Sequence, residues 1–174
     1  MLDYTYSEQT LHIPSLKYFN DDWETLQRFL QLKGNPLYSI GSNLNLENMP
    51  IESLGNLTSV GGYLDLRNTS IESLGNLTSV GGYLDLRNTS IKSLGNLTSV
   101  AGGLGLRNTP IESLGNLTSV GGDLRLLETP IESLGNLTSI GGGLYLVNTP
   151  ISKKYTEEEV REMVNVEGNI YMYN

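Results

Sequence analysis

The sequence predicts a mainly β solenoid, wound as a right-handed coil with one parallel sheet of about seven strands and a capping helix at each end. Three observations carry that expectation. Residues 51–70 read IESLGNLTSVGGYLDLRNTS and residues 71–90 repeat them without a change; near copies start at Ile91, Ile111 and Ile131, and a diverging sixth starts at Ile151. The aliphatic positions of a unit, Ile51, Leu54, Leu57, Val60, Leu64 and Leu66, fit neither a helical nor a strand period along their whole length. Beyond the repeats, both ends of the chain turn into short amphipathic segments, as terminal caps require.

In chain order, residues 1–36 read as an N-terminal cap. Thr10 to Ile13 supplies a short strand, and Asn20 to Lys33 (NDDWETLQRFLQLK) supplies a helix near 21–33. Asn and Asp stand at its N-cap, Trp23, Leu26, Phe29 and Leu30 recur at helical spacing, and Gly34 before Pro36 ends it. Core packing under the cap is the expected role of Trp23 and Phe29.

Residues 37–150 read as the repeats. Leu37 and Ile40 match Leu57 and Val60, so Asn43 to Leu46 forms an early strand in register with Tyr63 to Leu66. Within a unit only Tyr63 to Arg67 alternates cleanly, which makes it a strand with Leu64 and Leu66 inward. Gly61-Gly62 supplies backbone freedom for the turn into it. One unit cannot bury its apolar side alone, but stacked units line Leu64 up with Leu84, Leu104, Leu124 and Leu144. In residues 151–174, Thr156 to Glu159 fits a capping box, Val160, Met163 and Val164 form an apolar stripe, and Gly168 to Met172 returns as a last strand.

The run Leu64-x-Leu66-x-x-Thr69-x-Ile71 resembles the LxLxxNxL signature of leucine-rich repeats over roughly residues 37–174. Thr69, Thr89, Thr109, Thr129 and Thr149 stand where that family keeps an inward Asn whose side chain satisfies neighbouring backbone groups. The resemblance implies an equivalent Thr ladder. The twenty-residue period is at the short end for the family and argues against convex-side helices. Ile71, Leu74, Leu77 and Val80 are therefore expected on extended or short β segments, similar to receptor L-type β-solenoids. The short units and the C-terminal segment are also similar to small repeat proteins of tailed bacteriophages and large DNA viruses.

Composition narrows the function classes. Phe (2) and Trp (1) are scarce, so the interior is expected to be layered aliphatics. With no cysteine there is no disulfide or thiolate metal site, which together with the lack of a visible export signal leans towards the cytoplasm. The net charge of −8 disfavours nucleic acid, whose backbone is held by many Lys and Arg, and no apolar run is long enough for a membrane span. One His, no Cys and Ser mostly at fixed repeat positions such as Ser53 and Ser59 assemble no triad; no phosphate or calcium motif is present. Asn56-Leu57-Thr58 and its copies match a glycosylation acceptor pattern and are read as structural. No enzyme activity, metal or cofactor is expected.

Differences between units cluster on the strand: Tyr63, Tyr83, Gly103, Asp123, Gly143; Asp65, Asp85, Gly105, Arg125, Tyr145; Arg67, Arg87, Arg107, Leu127, Val147. Alternation points these rows outward, and the terminal strands add Asn43, Asn45, Glu47, Asn169, Tyr171 and Tyr173 to them. Tyr and Arg are the residues favoured at interaction hot spots. The expected function is therefore a non-enzymatic module that docks a partner protein on Tyr63, Asp65, Arg67, Tyr83, Asp85, Arg87, Arg107, Asp123, Arg125, Leu127, Tyr145, Val147, Tyr171 and Tyr173. The alternative is a structural or adhesive module that binds a periodic ligand such as a glycan, or ice through rows like Thr58, Thr78 and Thr98. A bland alternative is a solvated face on which Asp65–Arg67 and Asp85–Arg87 merely screen one another.

Overall fold

The computed structural model describes residues 5–7 and 9–172. The chain opens with β1 (Thr5–Ser7), β2 (Thr10–Ile13), a 3-10 turn (Leu16–Phe19), helix α1 (Trp23–Leu32), β3 (Leu37–Ile40) and β4 (Leu44–Asn45). Each repeat then contributes two short strands. These are β5 (Leu57–Val60) and β6 (Leu64–Asp65), β7 (Ser79–Val80) and β8 (Leu84–Asp85), and β9 (Ser99–Val100) and β10 (Leu104–Gly105). They continue as β11 (Ser119–Val120) and β12 (Leu124–Arg125), then β13 (Ser139–Ile140) and β14 (Leu144–Tyr145). Helices α2 (Pro150–Lys154) and α3 (Glu157–Met163) and strands β15 (Asn165–Val166) and β16 (Ile170–Tyr171) close it.

Among the described residues the strands form two sheets, one on each side of a β-solenoid with twenty-residue coils. The seven-stranded sheet runs β4-β6-β8-β10-β12-β14-β16, all parallel, with Leu44, Leu64, Leu84, Leu104, Leu124, Leu144 and Ile170 in one register. It is the strand array read from the Leu-x-Leu positions, shorter per coil than Tyr63–Arg67. The return path, expected to be extended or short β, forms a second sheet of nine strands, ordered β1-β2-β3-β5-β7-β9-β11-β13-β15. Among the described residues no helix is long and apolar enough to cross a membrane.

Register and aliphatic spacing together make the core. In an interior coil Ile71, Leu74, Leu77, Val80, Leu84 and Leu86 are all at 2% exposure or less. Burying each such side chain is worth about 1.5–3 kcal/mol, so coil stacking replaces the aromatic anchors that the sequence lacks.

The glycine pair of each unit serves a purpose other than the one expected. Neither Gly61 nor Gly62 has a positive φ; the left-handed glycine is Gly55, at φ 59. A Cβ on Gly81 would stand 2.2 Å from the Gly61 carbonyl oxygen. Backbones of successive coils touch there, so small residues are needed: the second glycine is kept in every repeat, while the first is replaced by Ala101 in the unit that starts at Ile91.

The first coil departs from the repeat phase. Leu37 does not occupy the place of Leu57 and is 41% exposed; the buried Tyr38 pairs with Leu57 instead, and the register shifts between Tyr38 and Ser39. The Tyr38 hydroxyl donates to the Leu54 carbonyl at 2.8 Å, and burial pushes its pKa up. Ile40 pairs with Val60 as the phase requires.

Both caps follow from their sequences. Helix α1 starts at Asp22, whose carboxylate accepts the Glu24 N–H, and it buries Trp23, Leu26 and Leu30. Phe29 is half-buried, with its ring tilted 5.2 Å from that of Phe19. Helix α3 starts with the Thr156/Glu159 capping box. His12 reaches Ser39 Oγ at 2.7 Å between β2 and β3.

Candidate interaction face

The variable residues lie on the side of the seven-stranded sheet away from the leucine columns, on β6 to β16 and the turns just after each strand. Tyr63 stands apart, 41% exposed; the structure divides the others into two groups and a residue between them. Tyr173 lies outside the described residues.

The first group is an ion network that neutralises itself. Arg67 Nη2 meets Asp65 at 2.6 Å and Glu47 at 2.8 Å, its Nε stands 3.5 Å from Asp85, and Arg87 Nη2 meets Asp85 at 2.6 Å. Asp65 and Asp85, expected on the outward rows, are only 9% and 5% exposed, because Arg67 and Arg87 fold back over them in the pairs that the solvated-face alternative described. Burial raises the Asp65 pKa, but the hydrogen bonds and charge of Arg67 outweigh it and leave the carboxyl below its ordinary value. Glu47, which the first strand adds to the outward rows, joins the network through Arg67.

The second group is a continuous aromatic and cationic row. Tyr83 leans across the next coil: a Cβ on Gly105 would stand 2.5 Å from its hydroxyl, and one on Gly103 would stand 2.9 Å from its ring carbons. The bare Gly103 and Gly105 are thus the floor on which Tyr83 lies. Burial is the main reason the Tyr83 pKa is raised, with Asp85 adding to it and Arg125 opposing it. Two coils on, Arg125 Cζ lies 5.2 Å from the Tyr145 ring centroid. The Tyr145 and Tyr171 rings stack at 4.4 Å and 15°. Asp123 fixes the arginine, accepting Arg125 Nη2 at 2.9 Å with one oxygen and the Gly143 N–H at 2.9 Å with the other. These bonds, the Gly143 N–H first, hold the Asp123 pKa below its usual range. Leu127 and Val147 border the row half-buried.

Arg107 stands between the groups and, among the described residues, pairs with neither. Its Nε and Nη2 donate to the two carboxylate oxygens of Glu128 at 3.2 and 3.1 Å. Glu128 stands at φ 59, where the other repeat coils place Asn, in the left-handed region that a glutamate seldom adopts. In the sequence the position looks like a simple substitution.

An outer rail of asparagines is likewise invisible in the repeat pattern. Asn68, Asn88 and Asn108 each donate their amide to the Asn of the preceding coil, at 2.9, 2.9 and 3.2 Å. The buried Thr row, expected to serve neighbouring backbone groups, bonds within its own coil: Thr69 and its four counterparts donate to the Leu carbonyl three residues back at 2.7 Å. On the opposite sheet, Thr58, Thr78, Thr98, Thr118 and Thr138 each donate their hydroxyl to a carbonyl of the preceding coil. That row therefore keeps acceptor lone pairs but no proton for a periodic ligand.

Comparison of the chain with protein-family models, with curated proteins and with solved structures finds no match.

Proposed function

We propose that this protein is a non-enzymatic interaction module that docks a partner protein on the outer face of its seven-stranded sheet. The observation that carries the reading is the ordered row Tyr83, Arg125, Tyr145 and Tyr171 over Gly103 and Gly105. Its side chains are held by one another before a partner arrives. Little conformational entropy is left to lose on binding, and Tyr and Arg are the residue types that anchor interfaces. The Asp65–Arg67 and Asp85–Arg87 end forms a polar border, because its charges already satisfy each other.

Within this proposal the chain is a leucine-rich repeat of short units. The likeness of its units to small repeat proteins of tailed bacteriophages and large DNA viruses makes the partner a host or defence protein met in the cytoplasm. Affinity capture from the native host tests the reading. Capture of one partner that is lost with Tyr145→Ala and Arg125→Ala, and kept with Ser133→Ala, supports it. A partner kept by both face variants contradicts it.

A further inference from the structure

Each sheet of an open solenoid ends in strands with unpaired backbone groups, and the two sheets here are finished differently. The nine-stranded sheet is extended past the first coil by β2 and β1. At its other end Arg161 of α3 donates Nη1 to the Val166 carbonyl at 3.0 Å and Nη2 to the Gly168 carbonyl at 3.2 Å. Those are the carbonyls that a further coil would take, as Gly141 and Gly142 N–H take Val120 and Gly122 at 2.9 and 3.1 Å. Arg161 stands in for the missing coil.

The seven-stranded sheet has no such closure at β4. At each step along it, two N–H groups of one coil donate to two carbonyls of the next: Leu44 to Tyr63 and Leu46 to Asp65, both at 2.9 Å, and so on to Leu144 with Asn169 and Leu146 with Tyr171. The corresponding carbonyls of the first coil are those of Asn43 and Asn45, and among the described residues no strand pairs with β4 on this side. Among the described residues, that of Asn43 takes only a 3.3 Å bond from the Ser42 hydroxyl, and that of Asn45 takes none. By the alternation of a parallel ladder, the Asn45 N–H faces the same way. The edge opens on a cavity of about 580 Å³ walled by Leu16, Lys17 and Asp21 opposite Asn43, Asn45 and Tyr63.

We propose that the edge of β4 is a strand-addition site for an extended segment of the partner protein, running parallel to β4 with its N–H groups on the Asn43 and Asn45 carbonyls. The proposal rests on the reading of this sheet as a protein-docking surface and adds backbone pairing as a mode of contact. Three observations fix the occupant. The edge is in register with every inner step, so a parallel strand meets it without adjustment. Outward side chains of that strand continue the column Asn43, Tyr63, Tyr83 and the column Asn45, Asp65, Asp85 of the proposed docking face. A second copy does not fit, since β2 and β1 extend the opposite sheet by two strands where a stacked coil would have to lie. Leu16 and Phe19 are already buried, which leaves no apolar hole for more than a strand.

Selection of random linear peptides against the folded chain tests this. Selected peptides are expected to move the backbone amide signals of residues 43–46. Their affinity falls about tenfold with Asn45→Pro, which removes the N–H of an edge strand that tolerates proline, and stays within about threefold with Asn45→Ala. N-methylation at alternate peptide positions abolishes binding. Thermal unfolding of each variant establishes that it is folded, and the peptide series reads the same contact on the unaltered protein. Peptides that keep their affinity for Asn45→Pro and tolerate N-methylation, or a selection that yields no binder, overturn the proposal. Binders lost only with Tyr145→Ala overturn the edge site while leaving the face reading intact.

Discussion

Thr89 donates its hydroxyl to the Leu86 carbonyl at 2.7 Å from a position 5% exposed. Replacing that hydroxyl by a methyl of the same shape leaves a buried acceptor without its partner, so Thr89→Val is expected to cost about 1–3 kcal/mol in urea unfolding, against under about 0.5 kcal/mol for a surface change such as Glu72→Gln. A single Leu84→Ala, from a site at 0% exposure, is expected to cost more, about 2–5 kcal/mol. Glu128 offers a test of opposite sign. Asn suits a φ of 59 far better than Glu does, yet only Glu reaches Arg107 with two bonds. Glu128→Asn is therefore expected to leave stability unchanged or raise it, while freeing the Arg107 guanidinium. The inward leucines are readable because twenty-residue copies repeat their spacing five times. Tyr38 is not, because a one-residue shift at the start of the first coil puts a tyrosine where the pattern expects Leu37, and only the register between Tyr38 and Ser39 reveals it. Nor can the sequence show that Asp65 and Asp85 lie under arginines, since alternation gives the side of the strand but not how a long neighbour folds over it.

The paired strands and their caps behave as units whose ionised groups report on them. Asp65 is held below its ordinary pKa despite burial by Arg67, Asp123 by the Gly143 N–H and Arg125, Asp22 by Thr25 at the start of α1, and Glu159 by the Thr156 backbone in the α3 capping box. In each case the folded value lies below the unfolded one. The unfolded chain therefore binds more protons in the interval between them, and stability rises with pH there. The contribution is complete above the unfolded carboxyl range near about pH 4 and is lost as pH falls through the lower folded values. Urea midpoints are expected to be level from about pH 5 to 7 and to drop by about pH 3, with a smaller drop in Arg67→Gln because Asp65 loses its partner. Equal drops in the two proteins contradict the assignment. At the C-terminal end, Arg161→Ala is expected to lower the thermal midpoint and to promote association through the uncovered carbonyls of Val166 and Gly168, measured by sedimentation; Arg161→Lys restores charge but not the two-pronged bond. The helices are legible from caps and apolar spacing. The use of Arg161 as a surrogate strand is not, because it depends on which carbonyls the last coil leaves open. The recurrence of small residues at this place is legible, Gly-Gly in four units and Ala101-Gly102 in one, while its cause, contact between successive backbones, needs three dimensions.

At the scale of the molecule, stability is a sum of coils and their contacts, so the number of coils is a free parameter. Residues 51–70 and 71–90 are identical, and deletion of residues 71–90 joins a coil to the neighbour that its twin already has. The shortened chain is expected to fold, to unfold in one transition, and to melt a few degrees lower for the loss of one interface. An unfolded product would mean that the coils are not interchangeable. The repeat by itself makes the solenoid legible, but not that its two sheets are closed by different means or that one keeps an open edge. Register between coils is the claim on which the columns, the row of tyrosines and the edge of β4 all depend. It can be measured directly, because the chain has no cysteine of its own. Thr78 and Thr98 are joined by a backbone bond of 2.8 Å, from the Thr98 N–H to the Thr78 carbonyl. Their Cα atoms stand one strand spacing apart, about 4.8 Å, whereas Thr78 and Thr118 stand about twice as far. Mild oxidation of the Thr78→Cys/Thr98→Cys chain is expected to give an intramolecular disulfide and that of Thr78→Cys/Thr118→Cys to give none, since a bridge cannot span more than about 7 Å between Cα atoms. A disulfide in the second pair and none in the first would contradict the stacking of consecutive coils.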